Sequence, residues 1–324
     1  MRLSHDAVLL LAFGGPTAPE DIRPFLARVL RGHPVPPERI EEVARHYEAS
    51  GGRSPLNDIT LRQASCLGKK LKEQGLSLPV YVGLRHARPF IRETLDQMTG
   101  DGVRKALGFI LSSHQTEASW QRYQENVAEA RVELGDCAPD IDYCPGWHDH
   151  PLFIQAWVEQ IQAEIEKVAP AKRSDTPLIF TTHSVPVAMA ARSSYVEQIE
   201  DSCRLVAERL GHPRWSLAYQ SRSGNPNEPW LEPDVVEVLR RLSAEGAADV
   251  VVAPIGFVSD HVEVLYDLDI EARKIAEGLR LRFLRVKSLN DHSTFIRMMA
   301  DIIEAKLSAL SDQPSARSKH ERED

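Results

Sequence analysis

Eight short apolar runs, separated by longer amphipathic stretches, constrain this chain more than any other feature. The runs are Val8–Phe13, Val80–Leu84, Ala106–Leu111 and Ile141–Tyr143, then Leu178–Thr181, Ser216–Gln220, Val250–Pro254 and Arg282–Val286. Each is the length of a buried strand and too short for a helix. Between them, Thr60–Gln74, Pro89–Met98, Ala118–Leu134, Leu152–Val168, Tyr195–Leu210 and Asp234–Glu245 carry helical periodicity. Strand–helix alternation predicts parallel sheets joined by right-handed crossovers. Two sets of four runs predict an α/β protein of two Rossmann-like domains, each a four-stranded parallel sheet flanked by helices. A chain of 324 residues accommodates that pair. The expected domains are 1–148 and 149–311, divided near Gly146–Pro151, with a polar, disordered tail over 312–324. Pro34-Val35-Pro36 reads as a loop, and Pro37 opens a helix running to Tyr47.

Composition enters mainly by exclusion. A net charge of −8, spread along the chain, argues against nucleic acid as the main partner. The four cysteines form no C-x-x-C pair, so no zinc ribbon or iron–sulfur cluster is expected; free thiols in a reducing cytoplasm are the simplest reading. No stretch approaches 18 apolar residues, so no transmembrane helix is expected. Arg2 and the run Val8–Phe13 imitate a signal peptide, but the run ends in Gly14-Gly15-Pro16 and fits a buried strand entering a turn better. There is no G-x-G-x-x-G fingerprint, and no nucleotide is predicted.

Open α/β sheets bind ligands at the carboxyl ends of their strands. Those ends here carry Phe13-Gly14-Gly15, Arg85-His86, Ser112-Ser113-His114, Thr182-His183-Ser184, Gln220-Ser221-Arg222 and Gly256 through His261. Glu263, Asp267 and Glu271 follow at four-residue steps and line one helix face. A solvated acidic face is the plain alternative to a carboxylate ladder that passes a divalent cation. The flanking Val262, Val264, Leu265, Leu268 and Ile270 favour a partly buried ladder. His183 is either a satisfied loop histidine or, beside Glu263, a metal ligand and proton acceptor suited to iron, zinc or cobalt. Arg31, Arg45 and Arg53 could clamp carboxylates, or be ordinary surface arginines, with Ser54 or Asn57 capping the helix at Thr60. Trp120 and Tyr123 are core aromatics or a stacking platform for a flat ligand.

Five ordered segments resemble the ferrochelatase family. They are Leu11-Ala12-Phe13-Gly14-Gly15-Pro16 with Pro19-Glu20-Asp21-Ile22, Tyr47 through Leu56, Thr182-His183-Ser184-Val185-Pro186, Gln220-Ser221-Arg222 with Pro229-Trp230-Leu231, and Gly256 through Glu271. The resemblance spans Leu9 to about Ile303. It implies the chelatase fold, a porphyrin cleft between the domains, and insertion of Fe2+ as a substrate, with no resident cofactor. It also implies a catalytic, metal-contacting pair at His183 and Glu263, with Asp267 and Glu271 continuing the metal path. Transient contact with other enzymes of haem synthesis is expected.

Gly83-Leu84-Arg85-His86 with Pro89-Phe90 is closer to the coproporphyrin III branch than to the protoporphyrin branch. In that branch porphyrin contacts fall at Phe13, Leu30, His46, Tyr47, Ser54 and Tyr123. Phe13 stands where the branch has an iron-contacting tyrosine. Leu30 and His46 stand where it has arginines, with Arg31 and Arg45 adjacent. Competing readings are a protoporphyrin IX ferrochelatase, a cobalt chelatase drawing on His86 and His114, and a non-catalytic tetrapyrrole carrier.

Overall fold

A computed structural model of the chain describes residues 4–31, 36–222 and 228–311. The first sheet is built from β1 (Ala7–Ala12), β2 (Val80–Leu84), β3 (Lys105–Ile110) and β4 (Asp140–Tyr143), all parallel, in the order β2-β1-β3-β4. The second repeats that order with β5 (Leu178–His183), β6 (Trp215–Gln220), β7 (Asp249–Ala253) and β8 (Arg282–Arg285), arranged β6-β5-β7-β8. The central strands read as unbroken apolar runs because helices cover both faces. Every residue of β1 is buried.

The helices are α1 (Ile22–Val29), α2 (Pro37–Ala49), α3 (Leu56–Glu73), α4 (Ile91–Gly100), α5 (Arg122–Leu134), α6 (Pro151–Ile165), α7 (Val187–Ala190), α8 (Tyr195–Leu210), α9 (Val235–Ala244), α10 (Val262–Val264), α11 (Arg273–Gly278) and α12 (Ser293–Ser311). Two wider π-helical segments, Glu117–Gln121 and Leu265–Ala272, precede α5 and α11.

All eight expected strands are present, β2 with the expected bounds and the others with ends shifted by one or two residues. The helix expected over Tyr195–Leu210 has those bounds, closed by Gly211 in the left-handed conformation, φ 62°. α3 begins at Leu56, ahead of the expected Thr60. Asn57 does not cap it. Its side-chain amide instead exchanges two hydrogen bonds with the Gly15 backbone, 2.9 and 3.0 Å, fastening α3 to the turn after β1. Ser54 Oγ accepts from the Leu56 N–H at 3.3 Å, so that residue does serve the helix start. Pro34, Val35 and the tail 312–324 lie outside the described residues.

The expected boundary falls in the loop before α6, yet the two sheets share one buried core. α12, which carries no turn or motif signal, is the reason. It packs on α3 of the first half and on α6. Its buried Phe295, Met298, Met299 and Ile303 join Leu10 and Trp157 in a single cluster. Trp147 meets Phe153 and Phe295 at ring separations of 5.2 and 5.7 Å. Burying each such side chain contributes roughly 1.5–3 kcal/mol. No helix among the described residues is long and apolar enough to cross a membrane.

Candidate active site

The backbone brings the ends of β5 and β7 together. Gly256 N–H donates to the Thr181 carbonyl at 3.1 Å, and a Cβ on Gly256 would stand 2.0 Å from Thr182 Oγ1. Only glycine permits that approach. The loop after β7 therefore lies against the end of β5, and His183 meets Glu263, with Nε2 3.9 Å from Oε2. His261 flanks the same carboxylate, its Nε2 3.6 Å from Oε2.

The surroundings fix this pair. His183 Nδ1–H donates to the Ser184 carbonyl. A carbonyl can only accept, so the proton sits on Nδ1 and the Nε2 lone pair faces Glu263. Tyr195 OH donates to the His183 carbonyl at 2.8 Å. Behind Glu263, Arg285 clamps Asp260 at 2.6 Å and Asp269 at 2.9 Å, while Asn290 binds the Asp260 backbone and side chain at 2.8 and 2.9 Å. These partly buried bonds tie both sides of the segment that carries Glu263 and Asp267.

A separation of 3.9 Å is too long for a hydrogen bond. It suits two ligands of one ion, at about 2.0–2.2 Å each for a borderline divalent metal. Among the described residues no group of three or more His, Cys, Asp or Glu is assembled around a metal position. A two-ligand contact would leave coordination positions open on an ion held there.

Asp267 and Glu271 extend from Glu263 along the π segment. A four-residue step comes close to one full turn in either helix geometry, so the three acids keep to one side. Asp267 accepts from the Ser221 hydroxyl and from Gln220 Nε2 at 3.4 Å. Its pKa is pushed up to about 7, first by burial and then by the charges of Glu263 and Glu271, against the Ser221 bond. Glu271 is raised by burial and by Glu42 from α2.

A cavity of about 410 Å³ lies between the halves. Phe13, Tyr47, Ser54 and Tyr123 line it from the first half, and His183 and Glu263 from the second. Arg31, Arg45 and His46 stand outside this lining. α1 turns Val29 toward the cavity and leaves Arg31 in solvent after its end. On α2, Ala44 and Tyr47 take the buried face, which leaves Arg45 exposed. Arg53 is also exposed, paired with Asp58 at 2.7 Å. The His46 ring stacks on Tyr266 of the π segment, centroids 3.8 Å apart and planes 8° apart. Asp267 and Glu271 lie outside this lining, Asp267 partly buried and Glu271 more exposed.

Arg85, His114 and His261, placed at strand ends by the sequence but not assigned to the porphyrin or metal site, also line the cavity. Each sits just beyond a strand's carboxyl end, so position was the usable signal. His114 is held neutral, its pKa lowered to about 3 by burial and then by His148, between Ser113 Oγ at 2.9 Å and Ser202 Oγ at 3.1 Å.

A profile of the ferrochelatase family matches residues 5–307. The chain belongs to the ferrochelatase family. It is similar to a ferrochelatase of Rhodopirellula baltica, 38% identical, with 96% of this chain and 89% of that one covered. It is also similar to the coproporphyrin III ferrochelatases of Mycobacterium leprae, at 43% identity over 92% and 88%, and of Nocardia farcinica, at 40% over 95% and 90%. Among solved structures, SirB from Bacillus subtilis with Fe3+ matches with a TM-score of 0.60 at 10% identity, covering 96% of this chain and 98% of that one. CbiX, described as the terminal enzyme of sirohaem biosynthesis in denitrifying bacteria, matches with a TM-score of 0.51 at 13% identity over 92% and 98%. At these identities the structural likeness shows the chelatase fold alone. Family membership makes this ferrochelatase a metal-inserting enzyme of haem biosynthesis, with a porphyrin and a metal ion as substrates.

Proposed function

We propose that this ferrochelatase inserts ferrous iron into coproporphyrin III and that the iron passes between His183 and Glu263. The observation that carries the site is the 3.9 Å His183–Glu263 gap, open to the cavity and continued by Asp267 and Glu271. The porphyrin assignment is supported by relatives of 40 and 43% identity that are named for coproporphyrin III.

The reaction exchanges two pyrrole N–H protons for one Fe2+, with no change of oxidation state. Holding the macrocycle between the two walls and bending it exposes nitrogen lone pairs, at the expense of contacts remote from the metal. His183 Nε2 has one lone pair, so it takes a proton or the metal at one instant and serves both in turn. Glu263 shares the ion and passes protons on. Asp267, with its pKa near 7, gains and loses protons at neutral pH. Iron is substrate here, and we read the chain as needing no iron–sulfur cluster. Burial pushes the Cys144 thiol up to about 12 and raises Cys203 as well, which disfavours the thiolates a cluster requires. A cytoplasmic setting accords with a carboxylate-rich substrate.

Anaerobic insertion assays with Fe2+ test the assignment. Coproporphyrin III should give the higher kcat/KM, and faster insertion into protoporphyrin IX would overturn it. Protoporphyrin IX is the second reading, because the described cavity lining holds a single arginine.

A further inference from the structure

That single arginine, Arg85, has a specific placement. Its backbone N–H donates to the Ala12 carbonyl at 3.1 Å, and the next N–H, of His86, donates to the Phe13 carbonyl at 3.0 Å. The chain leaving β2 thus runs beside the chain leaving β1 and sets Arg85 against Phe13. The guanidinium lies over the Tyr123 ring at 5.0 Å and the Phe13 ring at 5.7 Å. Nε donates to Asn126 Oδ1 at 3.1 Å, and Nη1 donates to the Ala118 carbonyl at 2.9 Å, with Tyr123 alongside.

All of these partners are neutral. Glu125 adds only a small attraction, and Arg122 adds a repulsion. Most of the protein's other bonded arginines differ: Arg23, Arg53, Arg92 and Arg204 each hold a carboxylate in solvent. Arg85 is the more buried and has no carboxylate partner among the described residues, and burial pulls its pKa below the ordinary value. A guanidinium taken from water without a counter-charge is costly, and a fork already fixed by two neutral acceptors is prepared for an incoming anion.

We propose that Arg85, with the Tyr123 hydroxyl beside it, binds one propionate carboxylate of the porphyrin on the wall opposite His183 and Glu263. This assignment rests on the porphyrin reading above. It supplies, from β2, a cationic contact that Leu30 and His46 cannot make. The guanidinium grips the substrate's rim and leaves the pyrrole nitrogens free to face the metal path. Arg85 is then a binding and specificity residue and takes no part in the exchange of protons for iron.

Fluorescence titration of the full-length protein with metal-free coproporphyrin III tests it, with steady-state insertion alongside. Arg85→Met keeps length and apolar contact with Phe13 and removes the charge. It should weaken binding by about tenfold or more, as for loss of a charge-assisted hydrogen bond. The loss should appear in KM for porphyrin with kcat little changed, and Arg85→Lys should recover part of it. Affinity should also fall less steeply with salt in Arg85→Met than in wild type. Binding of coproporphyrin III by Arg85→Met within twofold of wild type overturns the role of Arg85 and leaves the porphyrin reading intact. A wild-type protein that binds no porphyrin overturns both. Should Arg85→Met fold poorly, Tyr123→Phe tests the same corner by removing one hydroxyl, with a smaller rise in KM expected and an unchanged KM counting against the site.

Discussion

Behind β1 and β2, the first half of the molecule presents Phe13, Arg85 and, from the start of α5, Tyr123; behind β5 and β7, the second presents His183, His261 and Glu263. The strand orders are the same, β2-β1-β3-β4 and β6-β5-β7-β8, so topology does not explain the difference. What differs is the chemistry hung on equivalent strand ends. One wall offers rings and a cation, chemistry suited to a flat anionic substrate. The other offers imidazoles and a carboxylate, chemistry suited to a divalent ion and protons. A doubled fold can thus divide a two-substrate reaction between its copies, each wall specialised for one substrate.

The largest effect should come from emptying the metal wall. His183→Ala removes the Nε2 lone pair and should reduce kcat for iron insertion by about 10²–10⁴-fold, the range expected for a lost acid–base group. Porphyrin affinity should stay near wild type, because the opposite wall is untouched. Glu263→Gln should behave alike. Stopped-flow insertion and porphyrin titration on the same samples separate the two quantities. A His183→Ala protein with wild-type turnover would show that the metal path lies elsewhere.

Two glycines extend the comparison. A Cβ on Gly15 would meet the Ser54 side chain alone at close range, 2.6 Å from its Cβ, whereas a Cβ on Gly256 would meet both the Thr182 side chain, 2.0 Å from Oγ1, and the backbone of β5, 2.9 Å from Thr182 Cα. Each alanine variant should cost about 1–3 kcal/mol by overpacking. Their kinetics should differ. Gly256→Ala lifts the loop that sets Glu263 against His183 and should lower kcat by about tenfold or more, since small misplacements are costly in catalysis. Gly15→Ala displaces Ser54 and should act mainly on KM for porphyrin. Equal kcat losses in both would contradict the division of labour.

The same contrast governs what could be read from sequence. The strands were legible because buried parallel strands are continuous apolar runs, as in Ala7–Ala12. His183 and Glu263 were legible because both follow strand ends within recognisable segments. The π geometry of Leu265–Ala272 was not, since the i, i+4 spacing of Glu263, Asp267 and Glu271 is the same for either helix type. Arg31 and Arg45 attracted attention by adjacency to expected positions, but helix phase decides which neighbour faces inward, and on α2 it chose Ala44 and Tyr47. α12 went unmarked although its apolar face joins the halves. A helix with no motif gives no hint of which distant partner, here α3, it will cover.

Asp267 gives a smaller, pH-dependent effect confined to the metal wall. Its pKa rises from 3.8 to about 7 on folding. Below 3.8 both states hold the proton and nothing is lost. As pH rises toward 7, the unfolded chain releases the proton while the folded one keeps it, so the folded state loses stability across that window. Asp267→Asn removes the penalty and should raise Tm by about 2–4 °C at pH 8 while leaving it unchanged near pH 4. The gain should come with slower insertion, because the relay is lost. A Tm difference that does not vary with pH would mean that Asp267 is not the group responsible.

The smallest effect should come from the place where the two walls touch outside the cavity. His46 of α2 lies flat on Tyr266 of the π segment, and Tyr47 next to it packs with Val262. Burial, and then the charge of Arg39, lowers the His46 pKa below 6.5, so the stacked ring is neutral. For a histidine with a lowered folded-state pKa, stability is complete above 6.5 and declines as pH falls, because the unfolded chain takes up a proton that the stack resists. His46→Ala should therefore cost about 0.5–1.5 kcal/mol at pH 8, the worth of an aromatic pair, and less at pH 5. His46→Phe keeps a ring on Tyr266 with nothing to protonate. It should match wild type at pH 8 and exceed it at pH 5, in denaturant titrations run at both. Were His46→Phe no more acid-tolerant than wild type, the contact between α2 and the π segment would be a matter of packing alone.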